Sequence, residues 1–374
     1  MKPGLVLSGG GARGAYQVGV LKAVAQLQPK SAHNPFSIIS GTSAGAINAV
    51  ALAASANNFR LAVKKVERIW QGLHVDRVYR AGAGDLLASV GKLGASLFNE
   101  GVGRHQPLAL LNNEPLRELL QHSIQFRNIQ SRIDSGFLDA VSVTATSYAT
   151  GHSVSFFQGK ADLKRWRRAK RIGVPAQLSV SHLLGSSAIP TILPAEKIHR
   201  QYFGDGALRQ LSPLSAALHL GADRIMVIGV RGHTAHKSKK VLERSPSLAQ
   251  MVGHIFSSAF IDALETDLEH LIRLNTLIGM LENENPHLDL DHLRNVALLA
   301  IHPSVDFDAI AAQHIEDLPR AMRALMRITG ATGQGGGSNL ASYLLFESRF
   351  CQELIEHGYR DAMDAEDSIR TFFS

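Results

Sequence analysis

The sequence predicts an α/β fold on a mainly parallel sheet, for two reasons. The 374-residue chain opens as strand, helix, strand, helix in direct succession, an order that argues for parallel pairing. Farther on, Ile-Met-Val-Ile-Gly-Val at 225–230 and Val-Ala-Leu-Leu-Ala-Ile at 296–301 are apolar without alternation, the pattern of strands too buried to be half exposed.

Residues 5–8 form the first strand. Gly9-Gly10-Gly11-Ala12-Arg13-Gly14 follows, and then a helix whose apolar Tyr16, Val20, Leu21, Val24 and Leu27 recur at the 3.6-residue period. Residues 36–40 are the second strand, and the small helix formers from Ala44 through Ala53 are the second helix. Residues 70–103 read as Gly-rich and irregular. Their apolar segment around Leu86, Leu87, Val90, Leu93, Leu97 and Phe98 would either cover a site or pack as a surface helix. Residues 114–124 form a helix with Leu116, Leu119 and Leu120 inward, and residues 140–147 and 154–157 flank Ala149-Thr150-Gly151-His152 as a hairpin. A helical stripe runs through Val252, Ile255, Phe256, Phe260, Leu264, Leu268, Leu271 and Leu274. The Gly-rich piece at 330–337 is a flexible loop, and Tyr343, Phe346, Phe350, Leu354 and Ile355 suggest a last amphipathic helix. There is no repeat and no compositional boundary, so one domain over residues 1–374 is expected.

Apolar residues make up 45% and charged residues 19%, which is ordinary for a globular chain. The one cysteine, Cys351, excludes an internal disulfide framework and a zinc–thiolate cluster, and fits a reducing compartment. The first residues run into a strand without an apolar signal region or a small-residue cleavage site. No stretch approaches the ~20 apolar residues that span a bilayer. A cytoplasmic protein is therefore expected, with no classical signal peptide. The net charge of +7 is uneven: no Asp or Glu precedes Glu67, and residues 164–171 read Lys-Arg-Trp-Arg-Arg-Ala-Lys-Arg. Such basic surface attracts anionic lipid head groups or nucleic acid, and equally fits a solvated helix face.

The chemistry centres on Gly41-Thr42-Ser43-Ala44-Gly45, between the second strand and its alanine helix. A serine at a strand-to-helix elbow is bent so that its Oγ projects above the sheet. Gly41 and Gly45 leave room for the backbone that must pass on either side. The helix that follows offers N–H groups to a developing oxyanion. The plainer alternative is a tight turn with a capping serine. The earlier run, Gly9-x-Gly11-x-x-Gly14, fits the dinucleotide fingerprint, but no acidic residue lies between Gly14 and Glu67 to hold a ribose. Without that part it reads as an anion nest, an oxyanion hole if it lies beside Ser43, with Arg13 adding positive charge.

A nucleophilic serine needs a base, and none of the 17 histidines has a comparably ordered context. Asp205 does, in Tyr202-Phe203-Gly204-Asp205-Gly206-Ala207. Its flanking glycines let backbone crowd and desolvate the carboxylate, which raises its pKa and makes it a better base. Taken alone, the tripeptide also fits a turn aspartate. His287-Leu288-Asp289-Leu290-Asp291-His292 has metal-ligand residue types but follows Pro286 in a polar stretch, so a surface loop is expected there and no metal.

Together, the 9–14 glycine run, Gly41-Thr42-Ser43-Ala44-Gly45 and Asp205-Gly206-Ala207 resemble the patatin-like phospholipase family. Ser186-Ser187-Ala188-Ile189-Pro190 and Leu208-Arg209-Gln210-Leu211-Ser212-Pro213-Leu214 are similar to the segments that family carries before and after its D-G-A/G. The likeness covers residues 3–230 and, more weakly, 343–359, leaving 231–374 as a helical and strand extension of the same domain. It implies a three-layer α/β/α sandwich and a Ser43–Asp205 dyad without histidine. Gly9, Gly10, Gly11, Ala12, Arg13 and Gly14 would form the oxyanion hole, and no cofactor is required. The implied activity is cleavage of phospholipid or other acyl-lipid esters, as a phospholipase A or lysophospholipase. A lipid substrate also gives the 164–171 cluster a partner in an anionic membrane surface, with no nucleic acid expected. The alternatives are a thioesterase or acyltransferase with the same dyad, or a silent lipid- or nucleotide-binding regulator.

Overall fold

The computed structural model describes residues 1–30, 32–80, 82–96, 107–231, 262–284, 294–329 and 338–374, with single residues 251, 254 and 258. The described strands are β1 (Pro3–Leu7), β2 (Ile38–Thr42), β3 (Ala140–Ser147), β4 (Ser153–Gly159) and β5 (Trp166–Arg168). They continue with β6 (Arg171–Pro175), β7 (Glu196–Ile198), β8 (Gln201–Asp205), β9 (Arg224–Ile228) and β10 (Ala297–Ile301). All join one sheet in the order β10-β9-β1-β2-β3-β4-β6-β5, with β8 paired to β3 and β7 to β8. From β10 to β3 every pairing is parallel; β3–β4, β5–β6, β3–β8 and β7–β8 are antiparallel.

Both faces of the central strands are covered, and the two-residue strand period sorts their side chains between two cores. Leu5, Leu7, Ile39, Met226 and Ile228 enter one core; Val6, Ile38, Ile225 and Val227 enter the other. The first core is closed by α1 (Gly14–Leu27), α2 (Ala44–Ala53) and α3 (Phe59–Gln71), the second partly by Leu264, Leu268 and Leu271 of a helix spanning Ala263–Glu284. This is a mixed α/β sandwich with helices on both sides of a mainly parallel sheet.

Several elements differ from the sequence reading. The sequence left α3 unassigned; Asn58 caps it by accepting from the Leu61 N–H, and Phe59, Val63, Val66 and Trp70 bury one side. Residues 70–103 are less irregular than expected, since α4 (Val75–Val78) and α5 (Ala83–Ser96) follow. On α5, Leu86 is buried while Leu87 and Val90 face solvent. Residues 297–301 do form a strand, but among the described strands β10 is the sheet edge and only Ile301 of it is buried. The basic cluster is no helix face: it is the β5–β6 hairpin. The last amphipathic segment is two helices, Ser338–Leu344 and Ser348–Asp364, broken at residues 345–347. Leu274 is exposed, whereas Val252, Ile255, Phe256, Phe260, Leu97, Phe98, the 330–337 loop and the His287–His292 stretch lie outside the described residues. No described helix is long and apolar enough to cross a membrane.

Candidate active site

The site forms where two strands end against each other along one edge of β3. β2 runs parallel to β3 and ends with Thr42 opposite Thr144; β8 runs antiparallel to β3 and ends with Asp205 opposite Ala145. Consecutive residues of β3 thus hold the last residue of each strand, and Ser43 follows directly on Thr42. Ser43 Oγ donates to Asp205 Oδ2 at 2.8 Å.

Ser43 has φ 54° and ψ −126°, a strained backbone for a non-glycine residue and the sharp bend that an elbow requires. The surroundings hold it there. Its N–H donates to Ser186 Oγ at 2.8 Å, and Ser186 Oγ in turn donates to the Thr144 carbonyl at 2.6 Å. Thr42 Oγ1 donates to Gln210 Oε1 at 2.6 Å. A Cβ on Gly41 would meet Gly45 backbone, and one on Gly45 would meet the Leu7 carbonyl, so neither position admits a side chain.

Asp205 is fully buried. Its N–H donates to the Ala188 carbonyl at 2.9 Å and its Oδ1 accepts from the Ala207 N–H at 3.0 Å. Burial pushes its pKa from 3.8 up to about 7, against the opposing pull of the Ala207 N–H and the Ser43 hydroxyl. A carboxyl poised there can take and return a proton near neutral pH.

The glycine run begins at the end of β1 and turns into α1. Gly11, at φ 55°, borders the same pocket as Ser43, and a Cβ there would strike the Tyr343 carbonyl. The Arg13 amide is taken by the Gly10 carbonyl at 3.1 Å, and the Gly14 amide by those of Gly11 and Ala12. The remaining amides of the run are those of Gly9 to Ala12, of which Gly11 borders the Ser43 pocket and Gly9 a separate cavity beside Gln210. The Arg13 side chain differs from expectation. Its guanidinium is buried, donates to Asp308 Oδ1 at 2.7 Å and to Ser342 Oγ at 2.6 Å, and lies 4.1 Å over the Tyr343 ring. Its charge is neutralised by Asp308, so it anchors the loop to the C-terminal helices.

Beside Ser43 opens a pocket whose empty space, open mouth included, is about 660 Å³. Its wall is apolar, with Trp70, Leu73, Leu116, Leu120, Ile189 and Phe346 among the contributors. A buried polar chain braces wall and loop together: Trp70 Nε1 donates to Asn48 Oδ1 at 2.7 Å, Asn48 Nδ2 to Gln17 Oε1 at 3.0 Å, and Gln17 Nε2 to the Ser8 carbonyl at 2.8 Å. Gln17, Asn48 and the role of Ser186 escaped the sequence reading. Asn48 is the lone polar residue of α2, a detectable signal, whereas Gln17 shares α1 with Lys22 and Gln26. Among the described residues no three His, Cys, Asp or Glu side chains are placed to hold a metal.

A serine at a strand–helix elbow, bonded to a buried carboxylate beside an apolar pocket, is an arrangement fit for nucleophilic chemistry on an apolar substrate. The patatin-like phospholipase family matches residues 5–218, more than half of the chain, and the protein belongs to that family, whose members are lipid acyl hydrolases. Among solved structures, VipD from Legionella pneumophila aligns at 12% identity and a TM-score of 0.40, over 98% of this chain and 67% of that one. No curated protein sequence matches.

Proposed function

We propose that the protein hydrolyses fatty acyl esters of phospholipids or lysophospholipids through Ser43 and Asp205. The observation that carries this reading is the direct 2.8 Å Ser43–Asp205 hydrogen bond at the rim of an apolar pocket. Ionised Asp205 takes the hydroxyl proton as Ser43 Oγ bonds to the acyl carbon. The carbonyl π pair moves onto oxygen, where the Gly9–Gly11 and Ala12 amides stabilise it. Collapse breaks the bond to the alkoxy oxygen, which leaves with the proton from Asp205. Water then attacks the acyl-enzyme and gives a proton to Asp205. The acyl carbon–Oγ bond breaks, Ser43 recovers its proton, and the fatty acid departs.

Contact with an anionic membrane belongs to this proposal, supported by the exposed Lys164, Arg165, Arg167, Arg168 and Lys170 of the β5–β6 hairpin. Trp166 is not part of that surface. It stacks on Phe157 and His219, each with ring centroids 5.1 Å away. A single domain over residues 1–374 is also proposed, since Asp308, Ser342 and Tyr343 pack on the glycine run. The lone buried cysteine suits a cytoplasmic setting.

The test is fatty acid release from a panel of phospholipids, lysophospholipids and a p-nitrophenyl acyl ester, with Ser43→Ala alongside. Release that disappears in the variant supports the proposal. No release, together with no labelling of the wild type by a fluorophosphonate probe, refutes it.

A further inference from the structure

The pocket wall contains a polar group that the fold leaves unsatisfied. Ser187 is 8% exposed; its Oγ is shielded from solvent and has no hydrogen-bond partner among the described residues. Three other polar side chains of the wall are committed. Ser43 Oγ donates to Asp205, Trp70 Nε1 to Asn48, and the Tyr79 hydroxyl to the Leu344 carbonyl at 2.7 Å. Ser186, the residue before, both accepts from Ser43 and donates to Thr144. A buried hydroxyl without a partner destabilises a fold, and alanine would remove that cost with little change in volume.

The position of Ser187 limits what could satisfy it. Ser186 Oγ lies 2.8 Å from the Ser43 nitrogen, and the Ala188 carbonyl accepts from the Asp205 N–H at 2.9 Å. Ser187 therefore sits between two residues that each touch one member of the dyad, and it faces the pocket that Ser43 also borders. The rest of the pocket wall is largely leucine, isoleucine and aromatic side chains, suited to the apolar part of an acyl chain.

Resting on the hydrolase reading above, we infer that Ser187 is a substrate-contacting specificity residue. Its hydroxyl hydrogen-bonds an oxygen near the carboxyl end of the bound acyl ester. The carbonyl oxygen is taken by the glycine loop, which leaves two sources. One is the alkoxy oxygen that every ester has; the other is a hydroxyl on the acyl chain close to the carbonyl, as in a 3-hydroxyacyl ester. A site built to bond an oxygen discriminates against the analogue lacking it.

The experiment compares wild type, Ser187→Ala and Ser187→Cys on dodecanoyl and 3-hydroxydodecanoyl esters of one alcohol, with Tm measured for each protein. The cysteine variant keeps the shape of serine with only a weak donor, so it reports even if the alanine variant fails to fold. Both variants should raise KM about tenfold; kcat stays nearly unchanged where the partner is the chain hydroxyl, bonded equally in ground and transition states, and falls as well where it is the alkoxy oxygen, which gains charge as it leaves. Tm should stay level or rise. A KM increase on both esters identifies the alkoxy oxygen, and an increase on the hydroxyacyl ester alone identifies the chain hydroxyl. Unchanged KM on both, or a KM increase that only tracks a fall in Tm, overturns the inference while leaving the dyad standing. A wild-type protein that turns over neither ester overturns the dyad reading and this one with it.

Discussion

Ser43 and Asp205 meet because the strands that carry them end head-on along β3, one opposite Thr144 and the other opposite Ala145. The hydroxyl reaches the carboxylate directly at 2.8 Å, and the carboxylate is buried enough to titrate at about 7. Only the ionised form can accept the serine proton. The rate constant kcat/KM should therefore rise with pH and level off above about 7, and Asp205→Asn should lower it by ~10³-fold or more. A flat profile through neutrality, or a His→Ala variant that matches that loss while Asp205→Asn is mild, would remove Asp205 as base.

The same carboxylate has an opposite effect on stability. A folded-state pKa raised from 3.8 to about 7 means that its contribution is fully present below 3.8 and lost as pH rises through 7. Asparagine has no charge to bury there. Thermal melts should show Asp205→Asn gaining on wild type between about pH 4 and about pH 8, inactive but more stable. A constant gap across that range would mean the carboxylate is less desolvated than its burial implies.

The elbow was legible because its requirements are local: a strand, two glycines and a small-residue helix are adjacent in sequence, and each is demanded by backbone geometry. The partner of Ser43 was legible only as a motif, since Asp205 is 162 residues away and nothing local says that β8 ends against β2. Arg13 was misread because its partners Asp308 and Ser342 lie some 300 residues away, beyond any spacing argument. The β5–β6 hairpin was misread for a different reason. Arginine and lysine favour helix locally, and the turn at Lys170, with φ 56°, falls on a residue that gives no turn signal.

Crowding at the elbow predicts a sharp intolerance. A Cβ at Gly41 would contact Gly45 backbone and come within 2.6 Å of the Ala46 Cα, and neither can retreat without moving α2. Gly41→Ala should cost about 3 kcal/mol in denaturant unfolding and abolish fluorophosphonate labelling. Full labelling with unchanged stability would show that the turn relaxes.

Trp166 and its basic neighbours should separate cleanly. Replacing Arg165, Arg167 and Arg168 by Gln should weaken sedimentation with anionic vesicles by roughly 100-fold at low salt, at about 1 kcal/mol for each charge near the surface. Trp166→Ala should leave vesicle binding unchanged and lower stability instead, because the indole is stacked between Phe157 and His219. Equal vesicle binding by wild type and the charge variant would remove the membrane role of this hairpin.

The Arg13–Asp308 pair ties the glycine loop to the chain's last third and tests whether residues 1–374 act as one unit. Arg13 is almost wholly buried, so Arg13→Met would leave Asp308 facing an apolar side chain with its charge unmatched. Breaking such a pair costs about 3 kcal/mol. The loop would then lose the contact that sets its approach to Ser43, and kcat should fall further than KM rises. A chain ending after Val230 removes Asp308, Ser342 and the Tyr343 backbone that packs on Gly11. It should be inactive and lack a cooperative melt. A truncated chain that melts cooperatively and keeps wild-type turnover would mean that residues 1–230 stand alone and that the later helices only decorate them.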